Sequence, residues 1–160
     1  YNYIVVSISL IVFGLLFIII EFQNRNMKVK VKRIADITYP MAIWIGAFQL
    51  IAAVFPGTSR SGATILGAIM IGISRTVAAE FTFFLAIPVM LGASLLKVLK
   101  FGFVFTQMEL ILLAVGMIVA FLVSVAVIKL LLGYIRKHSF VAFGWYRIIL
   151  GIAVLAYFWS

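Results

Sequence analysis

Residues 55–65, "FPGTSRSGATI", decide how this chain is organised, because they are polar and flexible yet lie between two apolar segments. The flanking segments are "MAIWIGAFQLIAAV" (41–54) and "LGAIMIGI" (66–73). Irregular backbone at membrane depth is tolerated only where protein buries it or where it lines a water-filled cavity. A helix over 62–73 is about 18 Å long, too short to span a bilayer. The pattern predicts a re-entrant helix-loop-helix hairpin over 38–73, although the charge distribution fits two full spans equally well.

The composition is that of an integral membrane protein built from α-helices. Of the 160 residues, 66% are apolar and 11% are charged, with a mean hydropathy of +1.29. Several apolar runs exceed the roughly 18 residues needed to cross a bilayer, and they are too long and uniform for barrel strands. The absence of cysteine excludes disulfide and thiolate chemistry. With one histidine and four acids, this chain alone cannot build a dense metal cage.

The apolar runs predict a single transmembrane domain over 1–160, all-α and polytopic. Pro88 is expected to kink the fourth helix. The alternation in "MKVKVKRI" (27–34) also permits a short strand, which would have little to pair with. The predicted helices are about 3–22, 38–54, 62–73, 77–99, 108–132 and 140–159.

The net charge of +9 is concentrated in a few clusters beside the helices. Basic residues stay on the cytoplasmic side of a membrane, and this topological reading is favoured over a polybasic lipid-binding role. It places the loop 23–36, the turn 72–76 and the loop 133–139 inside, with the C terminus outside. Lys97 and Lys100 are the exceptions. The chain begins without Met in an apolar run, so we expect a fragment whose N-terminal part is missing.

Arg60 is the most informative residue, because an intramembrane arginine is costly and usually functional. It opens a helix whose first N–H groups and dipole form an anion site. Its guanidinium suits two phosphate oxygens at once. The hydroxyl side chains around it can donate further hydrogen bonds, and the glycines let the backbone approach a ligand closely. Together they predict a binding site for a phosphate or diphosphate group. The residues expected to complete that site are Gly57, Thr58, Ser59, Ser61, Gly62 and Thr64.

Other readings of the loop remain open. Pro-Gly is a common turn, and Ser and Thr often bond back to the helix backbone, so the loop could be purely structural. The loop lacks the Gly-Lys-Ser/Thr of a nucleotide-binding P-loop. Half-helix N termini also serve anionic substrates in transporters, so a transporter or flippase of an anionic lipid is the alternative to an enzyme.

At "FPGTSRSGATI" the chain resembles the undecaprenyl-diphosphate phosphatase family, the bacitracin-resistance type. The family's Pro-Gly-x-Ser-Arg-Ser-x-x-Thr motif is met over 56–64. The resemblance continues through "AAEFTFFLAIP" (78–88) and "RKHSFVAFGWYRIILG" (136–151), covering most of 36–151. It implies a multi-pass hydrolase of the bacterial inner membrane with a periplasmic C terminus. Such an enzyme converts undecaprenyl diphosphate to undecaprenyl phosphate and phosphate, recycling the lipid carrier for peptidoglycan synthesis.

The resemblance also implies that this chain is the C-terminal part, with half of an inverted repeat. The family's other motif, Glu/Gln-x-x-x-Glu with a later His, is absent, and Gln49 and Ala53 are its nearest echo. Its acids should lie in a missing N-terminal half and hold Mg²⁺ or Ca²⁺, so this chain alone is expected to be inactive. Arg60, Ser59 and Ser61 take the catalytic roles, with either serine a possible nucleophile. The partners expected are a polyprenyl diphosphate, membrane lipids and the missing half, with no nucleic acid; the oligomeric state is left open.

Several other positions carry weaker expectations. Glu80 could pair with Arg60 or Arg75, support the metal, or simply favour a helix N terminus, and Gln49 is a further possible supporting residue of the site. His138 is expected to be interfacial rather than catalytic. Arg147 is expected to snorkel to the cytoplasmic face. Close helix packing is expected at four glycines: Gly92, Gly116, Gly133 and Gly151.

Overall fold

The computed structural model describes residues 3–24, 27–102 and 105–159, and this part of the chain is all-helical. Four of its helices, α1, α4, α5 and α6, are long and apolar enough to cross a membrane. The prediction of an all-α polytopic membrane protein is confirmed. The helices are α1 (Tyr3–Asn24), α2 (Tyr39–Val54), α3 (Arg60–Met70), α4 (Arg75–Phe101), α5 (Gln107–Lys137) and α6 (Val141–Trp159), with a 3₁₀ turn at Ile34–Asp36.

Several helix ends differ from the predicted ones because side-chain caps set them. Helix α3 begins two residues before the predicted start, since Ser59 accepts a hydrogen bond from the Gly62 N–H. Helix α4 begins at Arg75, where Ser74 accepts from the Val77 N–H, and it runs through Pro88 without interruption. Helix α5 continues to residue 137, through positions that had been assigned to a basic loop.

The two short helices α2 and α3 form an antiparallel hairpin. Helix α2 has 16 residues and α3 has 11, so they are about 24 Å and 17 Å long, shorter than a hydrocarbon core of about 30 Å. Gly67 lets them approach closely, because a Cβ there would lie 2.7 Å from the Phe48 ring. The Trp44 indole N–H donates to the Gly67 carbonyl at 3.2 Å. These lengths suit the re-entrant hairpin that the sequence predicts.

Helices α1 and α6 pack antiparallel with almost no space between their backbones. A Cβ on Gly14 would lie 2.8 Å from the Gly144 carbonyl oxygen, and a Cβ on Gly144 equally close to that of Gly14. Gly151 lies against Ser7 in the same way, which confirms its predicted packing role. For the other three glycines a Cβ would meet nothing within 4 Å in the described chain, so their packing role stays a prediction: Gly92, Gly116 and Gly133.

The basic loop, the α3–α4 turn and the end of α5 lie together at the C-terminal end of α1. The Lys30 N–H donates to the Gly72 carbonyl at 2.8 Å, and Val31 forms an isolated parallel bridge with Ile73 in place of the strand considered above. The Phe140 ring lies 5.9 Å from that of Phe17. This arrangement agrees with the predicted topology, in which these basic segments share one side.

Two ion pairs lie at this end of the molecule. Glu21 is buried and pairs with Arg75. In the exposed loop, the Arg33 guanidinium donates two hydrogen bonds to Asp36, at 2.9 and 3.0 Å, and lowers the pKa of that carboxyl. Because Glu21 lies in α1 and Arg75 is the first residue of α4, their pair ties α4 to α1 beside the hairpin.

Candidate functional site

The loop 55–59 reaches the N-terminal half of α1 and turns sharply there. Gly57 has φ +90°, and a Cβ on it would lie 2.7 Å from the Val6 carbonyl oxygen. Its small size therefore serves a close approach to α1, where the sequence had suggested an approach to a ligand. Ser59 also has a positive φ, +64°, which is rare for a residue with a side chain. The loop is thus held in a costly conformation by its neighbours.

The two threonine hydroxyls of the motif are engaged within the protein. Thr58 is fully buried and donates to the Phe55 carbonyl at 2.7 Å, which closes the turn. Thr64 is also fully buried; its hydroxyl lies 3.0 Å from the Ser61 carbonyl and accepts from Thr82 at 3.0 Å. The Thr58 hydroxyl is therefore used within the loop, which corrects its expected role toward a ligand. Thr64 fastens α3 to α4 and also lines a cavity, so its predicted role at a phosphate stays a prediction.

The two serines of the motif remain accessible at the start of α3. The Ser59 and Ser61 hydroxyl oxygens lie 3.4 Å apart, and both side chains are exposed. Gly62 leaves room beside them, because a Cβ there would lie 3.2–3.3 Å from Phe17, Arg147 and the Ser59 oxygen. Two hydroxyls and the free N–H groups of a helix N terminus therefore point to one small region.

Two cavities meet at Ser61. The first, here called the polar cavity, has a volume of about 340 Å³. It is lined by Gln49, Arg60, Ser61, Thr64, Thr82, Phe83 and Ala86. The structure thus brings Gln49 from α2 to the same cavity as Arg60. No hydrogen bond or ion pair is made by the Arg60 side chain within the described residues.

The second, here called the apolar cavity, has a volume of about 220 Å³ and shares Ser61, Thr82 and Phe83 with the first. Its polar lining includes Ser59, Ser61, Thr82 and Arg147. Its walls are aliphatic and aromatic side chains from α1, α3, α4, α5 and α6, among them Phe17, Ile65, Phe83, Leu131, Phe140 and Phe143. A polar region with hydroxyls and arginines therefore opens directly into an oily one.

Arg147 lies beside this loop, a position that the sequence did not predict. It does not snorkel: it is 9% exposed, and its Nη2 group donates to the carbonyls of Gly57 and Thr58, both at 2.7 Å. Its Nε–H has no partner in the described part of the chain. The prediction of snorkelling is wrong because α6 packs against α1 at glycines, which places Arg147 beside the loop. The available signal was an arginine seven residues inside an apolar helix.

None of the four acids neutralises Arg60 or Arg147. Glu21 pairs with Arg75, and Asp36 with Arg33. Glu109 accepts from Thr106 at the start of α5. Glu80 is half-buried and makes no ion pair in the described chain, so its suggested pairing with Arg60 or Arg75 is wrong. Two guanidinium groups without carboxylates flank the serines, an arrangement that favours an anion.

Metal ligands are not gathered at this site. Within 3–24, 27–102 and 105–159, no group of three or more His, Cys, Asp or Glu side chains could hold a metal ion. His138 lies at the end of α5, where it stacks on Tyr134 with ring centroids 4.3 Å apart, and it lines neither cavity. Hydroxyls and guanidinium groups at the loop do not fit a divalent cation.

Comparison with known proteins gives one family. The sequence model described as bacitracin resistance protein BacA matches residues 1–153. The resemblance is therefore a property of nearly the whole chain, which corrects the narrower expectation of a C-terminal part and of a match mainly over 36–151.

Relatives named undecaprenyl-diphosphatase are similar along almost the entire chain. One from Desulfitobacterium hafniense is 64% identical over 99% of this chain and 57% of its own length. One from Acetivibrio thermocellus is 61% identical over 99% of this chain and 58% of its own length. The protein named undecaprenyl-diphosphatase 1 of Clostridium acetobutylicum is 65% identical over 99% of this chain and 58% of its own length. The chain therefore spans a little over half the length of these curated relatives.

Proposed function

The chain belongs to the family of the bacitracin resistance protein BacA, and from this premise we propose that it supplies the phosphate-binding loop of an undecaprenyl-diphosphate phosphatase. The reaction would be hydrolysis of undecaprenyl diphosphate to undecaprenyl phosphate and phosphate, which recycles the cell-wall lipid carrier. The relatives of similar sequence carry the name of that activity. The proposed location is the bacterial inner membrane, with the C terminus on the outer side.

One observation supports this proposal above all: two guanidinium groups without carboxylate partners lie on either side of two hydroxyls at a helix N terminus. Arg60 borders the polar cavity and Arg147 the apolar cavity, with Ser61 common to both. A diphosphate is a compact polyanion, and hydrogen bonds from arginine to phosphate are among the strongest in proteins. The oily walls beside it suit the lipid portion of the same substrate.

The residues present suggest how the loop would assist hydrolysis. Arg60 and the N–H groups at the start of α3 would hold the terminal phosphate and stabilise its charge as the transition state spreads it. Ser59 and Ser61 would hold phosphate oxygens. No carboxylate or imidazole adjoins either hydroxyl in the described chain, so neither serine is activated here as a nucleophile. We propose that the general base comes from another part of the intact protein.

We also propose that the intact protein uses a divalent cation, Mg²⁺ or Ca²⁺. When bound, such an ion would neutralise phosphate oxygens. The side chains around the loop do not suit it, so its protein ligands would come from outside this chain. No step above depends on it.

The test is phosphate release from undecaprenyl diphosphate by the intact protein in detergent, comparing Arg60→Ala, Arg60→Lys and the wild type. Loss of a preorganised charge-stabilising donor costs about 10²–10³-fold in rate, and Lys should restore only part of it because it lacks the planar fork. Arg136→Ala, an exposed arginine at the end of α5, is the matched control and should leave the rate unchanged. An unchanged rate in Arg60→Ala would refute the phosphate role of the loop.

The same preparation separates the alternative, a transporter or flippase of an anionic lipid, which the half-helix anion site also permits. In sealed vesicles, lipid transfer between leaflets without phosphate release would favour transport. Phosphate release that depends on divalent cation would favour the phosphatase.

A further inference from the structure

We propose that Arg147 is a second phosphate ligand and that it fixes the direction of the lipid diphosphate across Ser61. The terminal phosphate would lie in the polar cavity beside Arg60. The lipid-linked phosphate would lie beside Arg147, with the first prenyl carbons in the apolar cavity. This inference rests on the proposed function, since it assigns each phosphate of that substrate to a separate arginine.

Arg147 has the properties of a binding group as well as those of a structural one. Only its Nη2 group is used by the loop, on the Gly57 and Thr58 carbonyls. Its Nε–H is buried without a partner and the residue lines the apolar cavity, although it is 91% removed from solvent. A buried guanidinium without an anion is costly. An anion beside Ser59 would complete it.

The different linings of the two cavities determine which way the lipid diphosphate lies across Ser61. The polar cavity carries Gln49, Arg60 and hydroxyls. Apart from Ser61, Thr82 and Phe83, which line both cavities, the apolar cavity is lined mainly by aromatic and aliphatic side chains. A prenyl chain is attached to one phosphate only, so that phosphate must lie on the apolar side. At roughly 30 Å³ for each water-sized group, the 220 Å³ of this cavity has room for about seven such groups. This is enough for one five-carbon prenyl unit next to the phosphate.

The direction assigns a chemical role to each arginine. Water attacks the terminal phosphorus, the new P–O bond forms there, and the anhydride P–O bond breaks. The bridging oxygen leaves with the lipid phosphate and carries the negative charge that develops, while the proton of the water passes to the base. Arg60 would therefore stabilise the phosphoryl group being transferred, and Arg147 the leaving lipid phosphate.

The two products provide separate probes of the two positions. Farnesyl phosphate and inorganic phosphate would be measured as inhibitors of phosphate release and by equilibrium binding to the intact protein in detergent. Hydrogen bonds to charged groups are worth about 1.5–3 kcal/mol, equivalent to roughly 10–150-fold in affinity. In Arg147→Gln we expect farnesyl phosphate to bind weaker by about that factor and inorganic phosphate to change less than about threefold. In Arg60→Ala we expect the reverse.

Because Arg147→Gln also weakens the hold on the loop, a second variant leaves both arginines intact. Leu131→Trp on α5 would fill the apolar cavity that Leu131 lines. It should weaken the binding of farnesyl phosphate and leave the binding of inorganic phosphate unchanged. The matched control is Leu130→Trp, since Leu130 is the preceding residue, is 74% exposed and lines neither cavity. It should change neither product.

Three results would overturn the inference. If Arg147→Gln weakened the binding of both products equally, Arg147 would only stabilise the loop and would not bind the lipid phosphate. Selective weakening of inorganic phosphate would reverse the direction. Unchanged farnesyl phosphate binding in Leu131→Trp would place the prenyl chain elsewhere. Absence of phosphate release from the wild type would instead refute the proposed function, and because binding needs no turnover, the Arg147 pattern would still be readable.

Discussion

Ser59 allows the backbone of the loop to be separated from its hydroxyl. Its φ of +64° is unfavourable for any residue with a Cβ, and its hydroxyl caps α3 by accepting the Gly62 N–H at 3.3 Å. Ser59→Gly removes the hydroxyl and relieves the backbone, whereas Ser59→Ala removes the hydroxyl and keeps the unfavourable backbone. The two variants should lose activity alike and differ in stability.

The size of the difference follows from three terms. Relief of the strained conformation contributes about 1–3 kcal/mol in favour of Gly. The Gly variant loses about 0.5–1 kcal/mol of stability through the greater entropy of its unfolded chain and a few tenths of a kcal/mol through its weaker helix cap. The Ala variant keeps the unfavourable φ and loses about 0.5–2 kcal/mol of stability because its side chain cannot cap α3. Ser59→Gly should therefore be more stable than Ser59→Ala by about 2 kcal/mol, or about 4–8 °C in Tm for a chain of this size.

The assay is thermal unfolding of the intact protein in detergent, together with phosphate release. Equal Tm values for the Gly and Ala variants would show that residue 59 is not strained. Full activity in either variant would show that this hydroxyl holds no substrate oxygen.

Two further predictions concern the scaffold. Gly144→Ala places a Cβ 2.8 Å from the Gly14 carbonyl oxygen and should destabilise the protein by about 1–3 kcal/mol. Gly116→Ala, whose Cβ would meet nothing within 4 Å among the described residues, should be neutral or stabilising by up to about 1 kcal/mol. Similar Tm values for the two would contradict the close α1–α6 packing. Glu21→Gln leaves Arg75 without its partner and should cost about 1–3 kcal/mol, and the double variant with Arg75→Gln should lose less than the sum of the singles. Strict additivity in thermal unfolding would mean that the pair is not coupled.

Much of the site could be predicted from sequence because its signals are local. Arg60 in an apolar chain is costly wherever it lies, and the Pro, Gly and Ser around it mark a turn and a helix start. Helix lengths follow from apolar runs, so the class of fold and the short hairpin needed no tertiary information. The resemblance carried by the motif then gave the family.

Tertiary packing alone decided the rest, because it depends on residues far apart in the chain. Arg147 lies about 90 residues from the carbonyls it binds, and it reaches them only because α6 packs on α1 through Gly14 and Gly144. The hydrogen bond that Thr64 accepts from Thr82, 18 residues away, likewise depends on how α4 packs against α3. Sequence spacing gives which residues share a helix face, whereas the direction of that face is fixed by the neighbouring helices.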